Sequence, residues 1–244
     1  MGLAIRWRTN QGQRTDDNRD CCGVGLRNDM ALCVVLDGSS SGDDSGVFAR
    51  RIARDLIDWF MTAGDASADS IINRLRELHV EMSPSFRKAS ASYIIALVKD
   101  QGAVCVLHAG DCLAGFYDGT SNLDWRTQPH TLANWSNTME IEDIARAPLR
   151  NRISHNFRSR EFMTPDVSAL TLEAQEMLVL ATDGFWAELD QERQTQFLTG
   201  IEKAHPTGHD DCSVLSLAIG EDLRNEVIGD AEADGLYVVR ATGS

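Results

Sequence analysis

Basic residues are scarce in this chain. Its 244 residues include 37 acidic side chains against 23 lysines and arginines, for a net charge of −14 and an isoelectric point near 4.8. A nucleic-acid-binding protein needs a basic face to neutralise phosphates, and an anionic membrane likewise attracts basic segments. We therefore expect neither nucleic acid nor a membrane as a partner.

Long apolar runs are also missing. No stretch approaches the roughly 20 residues that span a bilayer. Residues 1–12 are polar, contain Arg6 and Arg8, and lack the apolar core of a secretory signal. The six cysteines form neither a Cys-x-x-Cys pair nor a cysteine–histidine zinc spacing. We therefore expect a cytoplasmic protein with free thiols.

No Gly/Ser-rich linker, internal repeat or low-complexity tract divides the chain, and its five prolines are scattered singly. With 43% hydrophobic residues, the chain has enough apolar surface for a substantial core. We therefore expect one domain over 1–244. Within it, the region 122–166 is weakly patterned, and we expect it to be largely irregular.

Hydrophobic periodicity predicts strand pairs separated by two adjacent helices. Helices are predicted over 45–61, 68–88 and 190–202, the second ended or bent by Pro84. The predicted strands, with a turn at 27–29 and an acidic loop at 221–235, cover 3–9, 22–26, 31–36, 92–98, 103–109, 112–117, 177–182, 212–219 and 236–239. This order favours an α+β fold of antiparallel sheets with helices outside them over a repeating βαβ array.

Three acidic motifs lie far apart, each at the end of a strand-like apolar run. They are Val35-Leu36-Asp37-Gly38, Leu180-Ala181-Thr182-Asp183-Gly184 and His209-Asp210-Asp211-Cys212-Ser213-Val214. Taken singly, such motifs are commonly turns or solvated loops. Carboxylates brought together by folding repel one another unless some keep a proton or bind a cation, and a hard divalent ion is the common solution. We therefore expect a metal-centred site that hydrolyses phosphate esters.

Six short segments follow one another in order between residues 12 and 214. They are Gly12-Gln13-Arg14 with Asn18-Arg19-Asp20, Val35-Leu36-Asp37-Gly38-Ser39-Ser40-Ser41-Gly42, Ala109-Gly110-Asp111-Cys112, Gln128-Pro129-His130-Thr131, Leu180-Ala181-Thr182-Asp183-Gly184-Phe185-Trp186 and Asp210-Asp211-Cys212-Ser213-Val214. Together they resemble the motifs of the metal-dependent serine/threonine protein phosphatases of the PP2C (PPM) family, bacterial type. The fifth segment is the most specific match, to the family's Ser-Asp-Gly-Leu-Trp signature.

The resemblance implies a four-layer sandwich. Two antiparallel sheets pack face to face in this fold, with helices on both outer faces. The region 122–166 corresponds to a variable flap near the active site. Its arginines lead to the hypothesis that a local basic patch steers a phosphorylated or acidic partner; scattered solubilising charge is the alternative.

The resemblance also implies a centre of two Mn²⁺ or Mg²⁺ ions, with a third, weaker ion. Asp37 is implied to bridge the two ions, and the Gly38 carbonyl to bind one of them. Asp183 and Asp210 are implied to complete the other site. Asp111 is implied to help hold the third ion.

Further roles follow from the same resemblance. Asp20 is implied to hold a metal-bound water, and Arg14 to bind the substrate phosphate by the two parallel hydrogen bonds that a guanidinium offers. Arg19 stands where many family members carry Glu or Gln. Two alternatives stay open for the phosphate-binding residue, Arg14 or Arg19, with Arg14 slightly favoured.

The implied activity is hydrolysis of phosphoserine and phosphothreonine in proteins by a metal-activated water, without a covalent intermediate. The substrate is expected to be a serine/threonine kinase or its target. Two alternatives are a pseudophosphatase that binds a phosphoprotein or regulates a kinase, and a hydrolase of small phosphate esters. Retention of Asp37, Asp183 and Asp210 favours activity, whereas Arg19 and the Ser39-Ser40-Ser41 run, which replaces the family's glycine-rich turn, favour the pseudophosphatase. The histidines at 108, 130, 155 and 209 are interpreted as structural.

Overall fold

Apolar runs form the strands of two sheets in the computed structural model, which describes residues 2–27, 30–120, 123–201, 209–229 and 235–241. The strands are β1 (Gly2–Asn10), β2 (Asp20–Arg27), β3 (Met30–Gly38), β4 (Ser90–Val98), β5 (Ala103–Ala109), β6 (Leu113–Tyr117), β7 (Leu123–Trp125), β8 (Phe157–Arg158), β9 (Asp166–Thr171), β10 (Met177–Ala181), β11 (Cys212–Gly220), β12 (Glu226–Gly229) and β13 (Leu236–Arg240). The helices are α1 (Ser45–Thr62), α2 (Ala68–Met82), α3 (Ile141–Arg146), α4 (Asp183–Trp186) and α5 (Gln191–Thr199).

The strands form one sheet in the order β12-β1-β11-β10-β6-β7 and a second in the order β13-β2-β3-β4-β5-β9, with β8 added to β4. Side chains on β3 show how the sheets pack. Ala31, Cys33 and Val35 point into a core shared with β1, β10 and β11 of the first sheet, whereas Leu32 and Val34 point into a core shared with the helices. A strand buried on both faces reads as a continuous apolar run.

Helices cover both outer faces. The apolar stripe of α1, with Phe48, Ile52 and Phe60, packs on β2, β3 and β4. On the other side, Phe185 of α4 and Phe197 of α5 pack against β10 and β11. The predicted four-layer α+β sandwich is confirmed. No helix among the described residues is long and apolar enough to cross a membrane.

Several local predictions were wrong. Two strand pairs, β1–β12 and β2–β13, are parallel, so both sheets are mixed. β12 lies within the segment predicted as an acidic loop at 221–235, and the same loop precedes β13. The direction of these two strands could therefore not be inferred from the sequence. The helix predicted over 68–88 ends at Met82, since Pro84 lacks an N–H to continue it. The turn predicted at 27–29 lies partly outside the described residues.

Four of the described strands were not predicted. They are β7, β8, β9 and β12, each of which pairs with a single strand. β9 leaves most of its side chains exposed, and β7 has only three residues. Edge strands of this kind lack the apolar run or alternation that marks a buried strand.

The helix–sheet contact depends on two glycines of β2. A Cβ added to Gly25 would lie 2.7 Å from Cδ1 of the buried Phe60, and one added to Gly23 would lie 2.8 Å from Cγ1 of Ile57. Helix α1 therefore lies directly on the β2 backbone. A methyl group at either position forces the helix away from the sheet.

Gly25→Ala is expected to lower the free energy of unfolding by about 1–3 kcal/mol, because overpacking shifts a well-packed core. Thermal unfolding should show a Tm lower by about 2–4 °C per kcal/mol. Gly64→Ala is the control, since no atom lies within 4 Å of its added Cβ. Equal stability of the two variants would contradict this packing.

Candidate metal and phosphate site

Five carboxylates from separate segments meet at one end of the two sheets. Asp20 of β2 and Asp37 of β3 are direct partners in the antiparallel ladder. Asp111 lies in the turn between β5 and β6, Asp183 opens α4 directly after β10, and Asp210 precedes β11. The strand ends thus place side chains that are distant in sequence around one point.

A cavity of about 180 Å³ lies among these residues. Its lining is polar except for one isoleucine and comprises Arg14, Asp37, Ser39, Ser40, Ser41, Ser92, Asp111, Asn151, Ile153, Asn156, Asp183 and Asp210. Four of the five carboxylates therefore line the cavity, and the fifth, Asp20, is next to Asp37 on the neighbouring strand. Part of the 122–166 region also borders the cavity.

The short helix α4 is held against the start of β11 by close backbone packing. A Cβ on Gly184 would lie 2.1 Å from the Asp211 carbonyl oxygen, so only glycine fits after Asp183. The Thr182 N–H donates a hydrogen bond to the Ser213 carbonyl at 3.1 Å. Trp186 Nε1 donates to the Asp111 carbonyl over 2.7 Å. The Asp-Gly-Phe-Trp sequence thus positions two of the acidic segments relative to each other.

The two adjacent aspartates at 210–211 have different partners. Asp211 accepts hydrogen bonds from the Gly12 N–H at 2.8 Å and the Arg19 N–H at 2.7 Å. Asp210 faces the cavity. Asp211 thus fastens the loop between β1 and β2, and Asp210 is the one of the two that borders the cavity.

The two candidate phosphate-binding arginines point to different places. Arg14 lines the cavity and forms an ion pair with Asp210. Arg19 donates from Nη1 to the Ser39 carbonyl at 2.9 Å and to the Gly42 carbonyl at 2.7 Å. Arg19 therefore fastens the serine-rich turn after Asp37, and the geometry favours Arg14 for a ligand in the cavity.

Arg150 is a site residue that sequence reasoning placed only in a general basic patch. Its guanidinium lies 3.4 Å from Asp183 Oδ2 and 3.3 Å from Glu188 Oε1. Glu188 in turn accepts the Asp210 N–H at 3.3 Å. No spacing rule links a residue of an irregular segment to a helix N-terminus, so the contact had no sequence signal.

The carboxylates are electrostatically strained. Burial raises the pKa of Asp20, Asp37 and Asp183 well above the ordinary value, and the neighbouring carboxylates raise them further. Burial also raises the pKa of Asp111 and Asp210, although Arg150 and Arg14, respectively, work in the opposite direction. Two arginines face five carboxylates, so negative charge remains in excess.

These residues fit a divalent cation. Oδ1 of Asp20 and Oδ1 of Asp111 are buried and have no hydrogen-bond partner among the residues that the structure describes, although buried polar atoms are normally paired. Carboxylate and carbonyl oxygens are the ligands that Mg²⁺ and Mn²⁺ prefer. A cation among them satisfies the unpaired oxygens and removes the repulsion that raises the pKa values.

A second cluster was missed by sequence reasoning, which had interpreted its histidines as structural. One ligand atom each from His108, His130 and Asp166 lies within 4.8 Å of the others, close enough to hold a metal ion. None of the three lines the acidic cavity. Their positions follow no metal-binding spacing, because the tertiary fold alone brings them together.

The cysteines give no support to thiol chemistry. All six are free, and five of them are fully buried. Burial is the main cause that raises the pKa of every one of these thiols. A thiolate nucleophile requires a lowered pKa.

Asp37→Asn tests the strain directly. Because the pKa of Asp37 is raised in the fold, its proton is held more tightly there than in the unfolded chain. The metal-free protein therefore loses stability as pH rises above about 4 through that raised pKa. In EDTA at pH 8 the variant is expected to be about 1–3 kcal/mol more stable than the wild type, with a smaller difference near pH 4.

Saturating Mn²⁺ should make the wild type more stable than Asp37→Asn, since only the wild type gains the full free energy of metal binding. Thermal melts of both proteins in EDTA and in Mn²⁺, at both pH values, measure these differences. Equal melting temperatures in EDTA at pH 8 would show that Asp37 is not under electrostatic strain.

Comparison with known proteins gives different results for sequence and structure. No protein-family model matches the sequence, and no curated protein matches it. The serine/threonine phosphatase Stp1 from Staphylococcus aureus has a similar structure, with a TM-score of 0.74 and 17% identity over 90% of this chain and 98% of Stp1.

Two mycobacterial structures are similar to the same extent. The PPM Ser-Thr phosphatase MsPP from Mycobacterium smegmatis, solved with cacodylate, gives a TM-score of 0.73 at 18% identity, over 88% of this chain and 98% of MsPP. PstP/Ppp from Mycobacterium tuberculosis gives a TM-score of 0.71 at 16% identity, over 91% of this chain and 100% of PstP/Ppp. The chain therefore has the fold of the bacterial PP2C (PPM) serine/threonine phosphatases, as its motifs predicted.

Proposed function

We propose that this protein is a metal-dependent phosphatase that hydrolyses phosphoserine and phosphothreonine in proteins. The observation that carries the proposal is the acidic cavity, in which Asp37, Asp111, Asp183 and Asp210 lie beside the guanidinium of Arg14. Oxygen ligands suit divalent cations, and a guanidinium suits a phosphate. A site that combines them suits a phosphate ester.

The acidic residues are the proposed ligands of Mn²⁺ or Mg²⁺. Asp37, the Gly38 carbonyl, Asp183 and Asp210 hold two ions in this proposal, and Asp111 contributes to a third. When bound, such ions supply positive charge that stabilises a phosphoryl group and makes water a stronger acid.

Asp20 is proposed to orient the attacking water. Its Oδ2 accepts a hydrogen bond from Thr182 Oγ1 at 2.8 Å, whereas its Oδ1 has no hydrogen-bond partner among the described residues. Thr182 thereby fixes the carboxylate plane, since its hydroxyl also accepts the Ser213 N–H. The unpaired oxygen is left to accept a proton from water.

Arg14 is proposed to exchange partners. Without cations it neutralises Asp210, as Arg150 neutralises Asp183. Once cations neutralise these carboxylates, the guanidinium of Arg14 is available to make two charge-assisted hydrogen bonds to the substrate phosphate. In the absence of cations, Arg14 thus reduces the repulsion between the carboxylates of the cavity.

The rim of the cavity suits a peptide. The Ser39 and Ser41 hydroxyls lie 2.9 Å apart on one side, and the Asn151 and Asn156 side chains line another. Hydroxyl and amide groups donate and accept hydrogen bonds, which matches a peptide backbone next to the phosphorylated residue. A phosphorylated protein, such as a serine/threonine kinase or its target, is the proposed substrate, and the cytoplasm the proposed location.

A pseudophosphatase receives less support. Its sequence argument rested on Arg19 in the place of a carboxylate and on the altered serine turn. The Arg19 side chain binds the carbonyls of that turn and the carboxylate of Asp17, and neither Arg19 nor Asp17 lines the cavity. The carboxylates that a catalytic centre requires stay together around the cavity.

Asp183→Asn is expected to abolish Mn²⁺-dependent phosphate release from a phosphothreonine peptide and from p-nitrophenyl phosphate. Loss of a metal ligand should cost at least about 100-fold in kcat/KM, since even outer-shell changes cost 10- to 100-fold. Asp124→Asn, at an exposed position paired with Arg126, is the matched control and should retain full activity. Metal-independent turnover, or equal turnover in both variants, would contradict the proposal.

Arg14→Ala is expected to impair substrate binding, whereas Arg19→Ala is expected to impair stability. Arg14→Ala is expected to raise KM by about 10- to 100-fold, because a charge-assisted phosphate contact is lost. Arg19→Ala is expected to lower Tm while KM stays near the wild-type value. Steady-state kinetics and thermal melts separate the two effects. An unchanged KM for Arg14→Ala would assign phosphate binding elsewhere.

A further inference from the structure

A second cavity, of about 690 Å³, lies beside the strand that leads to Asp111. His108 of β5, Asp166 of β9 and the loop residue His130 line it, together with His155. His108 and Asp166 are direct partners in the β5–β9 ladder. Two elements of regular structure and one loop therefore bring imidazole and carboxylate groups together.

His108 has the arrangement of a metal ligand. Its side chain is 4% exposed, and its Nε2 lies 3.1 Å from the Gln128 carbonyl oxygen, to which it donates. Its Nδ1 is buried and has no hydrogen-bond partner in the described part of the chain. A metal-binding histidine typically donates its second nitrogen to a carbonyl in this way, which fixes the tautomer and leaves the other lone pair for the ion.

His130 and Asp166 offer the other two ligand atoms. His130 Nε2 lies 3.2 Å from Asp166 Oδ2. Two ligands bound at about 2.0–2.1 Å to a tetrahedral zinc ion lie about 3.3 Å apart, so a cation fits between them with little movement. The donor atoms of all three residues lie within 4.8 Å of one another.

We infer that His108 Nδ1, His130 Nε2 and the Asp166 carboxylate form a binding site for a divalent transition-metal ion of the Zn²⁺ class. The site is separate from the acidic centre, which offers hard oxygen ligands only. Imidazole suits Zn²⁺ and its neighbours, whereas Mg²⁺ prefers oxygen. Three protein ligands leave a fourth position open to the cavity.

The protonation states support ligation. Burial, followed by the neighbouring His130, lowers the pKa of His108 to about 4. Burial also lowers the pKa of His130, although Asp166 acts against this. Both rings are neutral near pH 7, and a neutral ring is the form that binds a metal.

Binding at this site is linked to the turn that carries Asp111. His130 Nδ1 accepts the Gly110 N–H at 3.2 Å, so the ring proton resides on Nε2. A cation at Nε2 displaces that proton, and a neutral ring then carries its one proton on Nδ1. There the proton faces the Gly110 N–H, so this hydrogen bond is lost.

A purely structural histidine cluster leaves one observation unexplained. The rings of His108 and His130 are stacked, with centroids 4.7 Å apart, and a packed pair of this kind needs no metal. Packing does not account for the buried, unpaired Nδ1 of His108, because buried polar atoms are normally paired.

The test is a Co²⁺ titration of the EDTA-treated protein, with the chelator removed and saturating Mg²⁺ present to occupy the acidic centre. Four-coordinate Co²⁺ with imidazole ligands absorbs strongly in the visible range, and six-coordinate Co²⁺ with oxygen ligands absorbs weakly. We expect one strongly absorbing Co²⁺ per chain, displaced by Zn²⁺. Binding should also shift the Gly110 amide signal in NMR spectra.

His108→Ala and Asp166→Asn are each expected to weaken Co²⁺ binding by at least about 100-fold. Asp166 lies on an exposed strand edge, so its variant keeps the fold even if His108→Ala does not. His155→Ala is the matched control from the same cavity, outside the ligand group, and should stay within about threefold of the wild type.

Weak absorption at all Co²⁺ concentrations, or equal loss in the His155→Ala control, would overturn the inference. The result does not depend on phosphatase activity. Asp183→Asn should keep the Co²⁺ spectrum while it loses turnover, so failure of the proposed function and failure of this site are distinguishable.

Discussion

Mutual repulsion among buried carboxylates is the constraint on which the rest of the site depends. Asp20, Asp111 and Asp183 are almost fully buried, and burial together with neighbouring charge raises their pKa values. Such an arrangement is costly unless positive charge enters it. Arg14 and Arg150 supply part of that charge. In the proposed function a divalent cation supplies the rest, so the cost of bringing the carboxylates together becomes affinity for the ion.

The hydrophobic core of the sandwich offsets the free-energy cost of this repulsion, because it is extensive. Both faces of the central strands are covered, by the opposite sheet and by helices. Backbone hydrogen bonds then hold the acidic segments at the strand ends, and Asp211 ties the opening loop to β11. The strands and the segments at their ends therefore position the carboxylates, and the loop residues Arg14 and Arg150 form ion pairs with two of them.

Sequence patterns predicted the features that depend on strong local signals. The apolar run before Asp37 marked a strand, and the Asp-Gly pairs marked strand ends. Patterns failed where tertiary contact alone decides. Arg150 reaches Asp183 from an irregular segment, and His108 meets His130 and Asp166 without any regular spacing. The parallel pairing of β12 with β1, and of β13 with β2, likewise has no local sequence signal.

The most direct test of the central claim is calorimetric titration of Mn²⁺ into the metal-free wild type and Asp37→Asn. The account predicts at least two Mn²⁺ ions in the wild type, and loss of at least one of them when the carboxylate proposed to bridge two ions is replaced. Identical isotherms for the two proteins, or no heat of binding to the folded wild type, would contradict a cation centre built on Asp37.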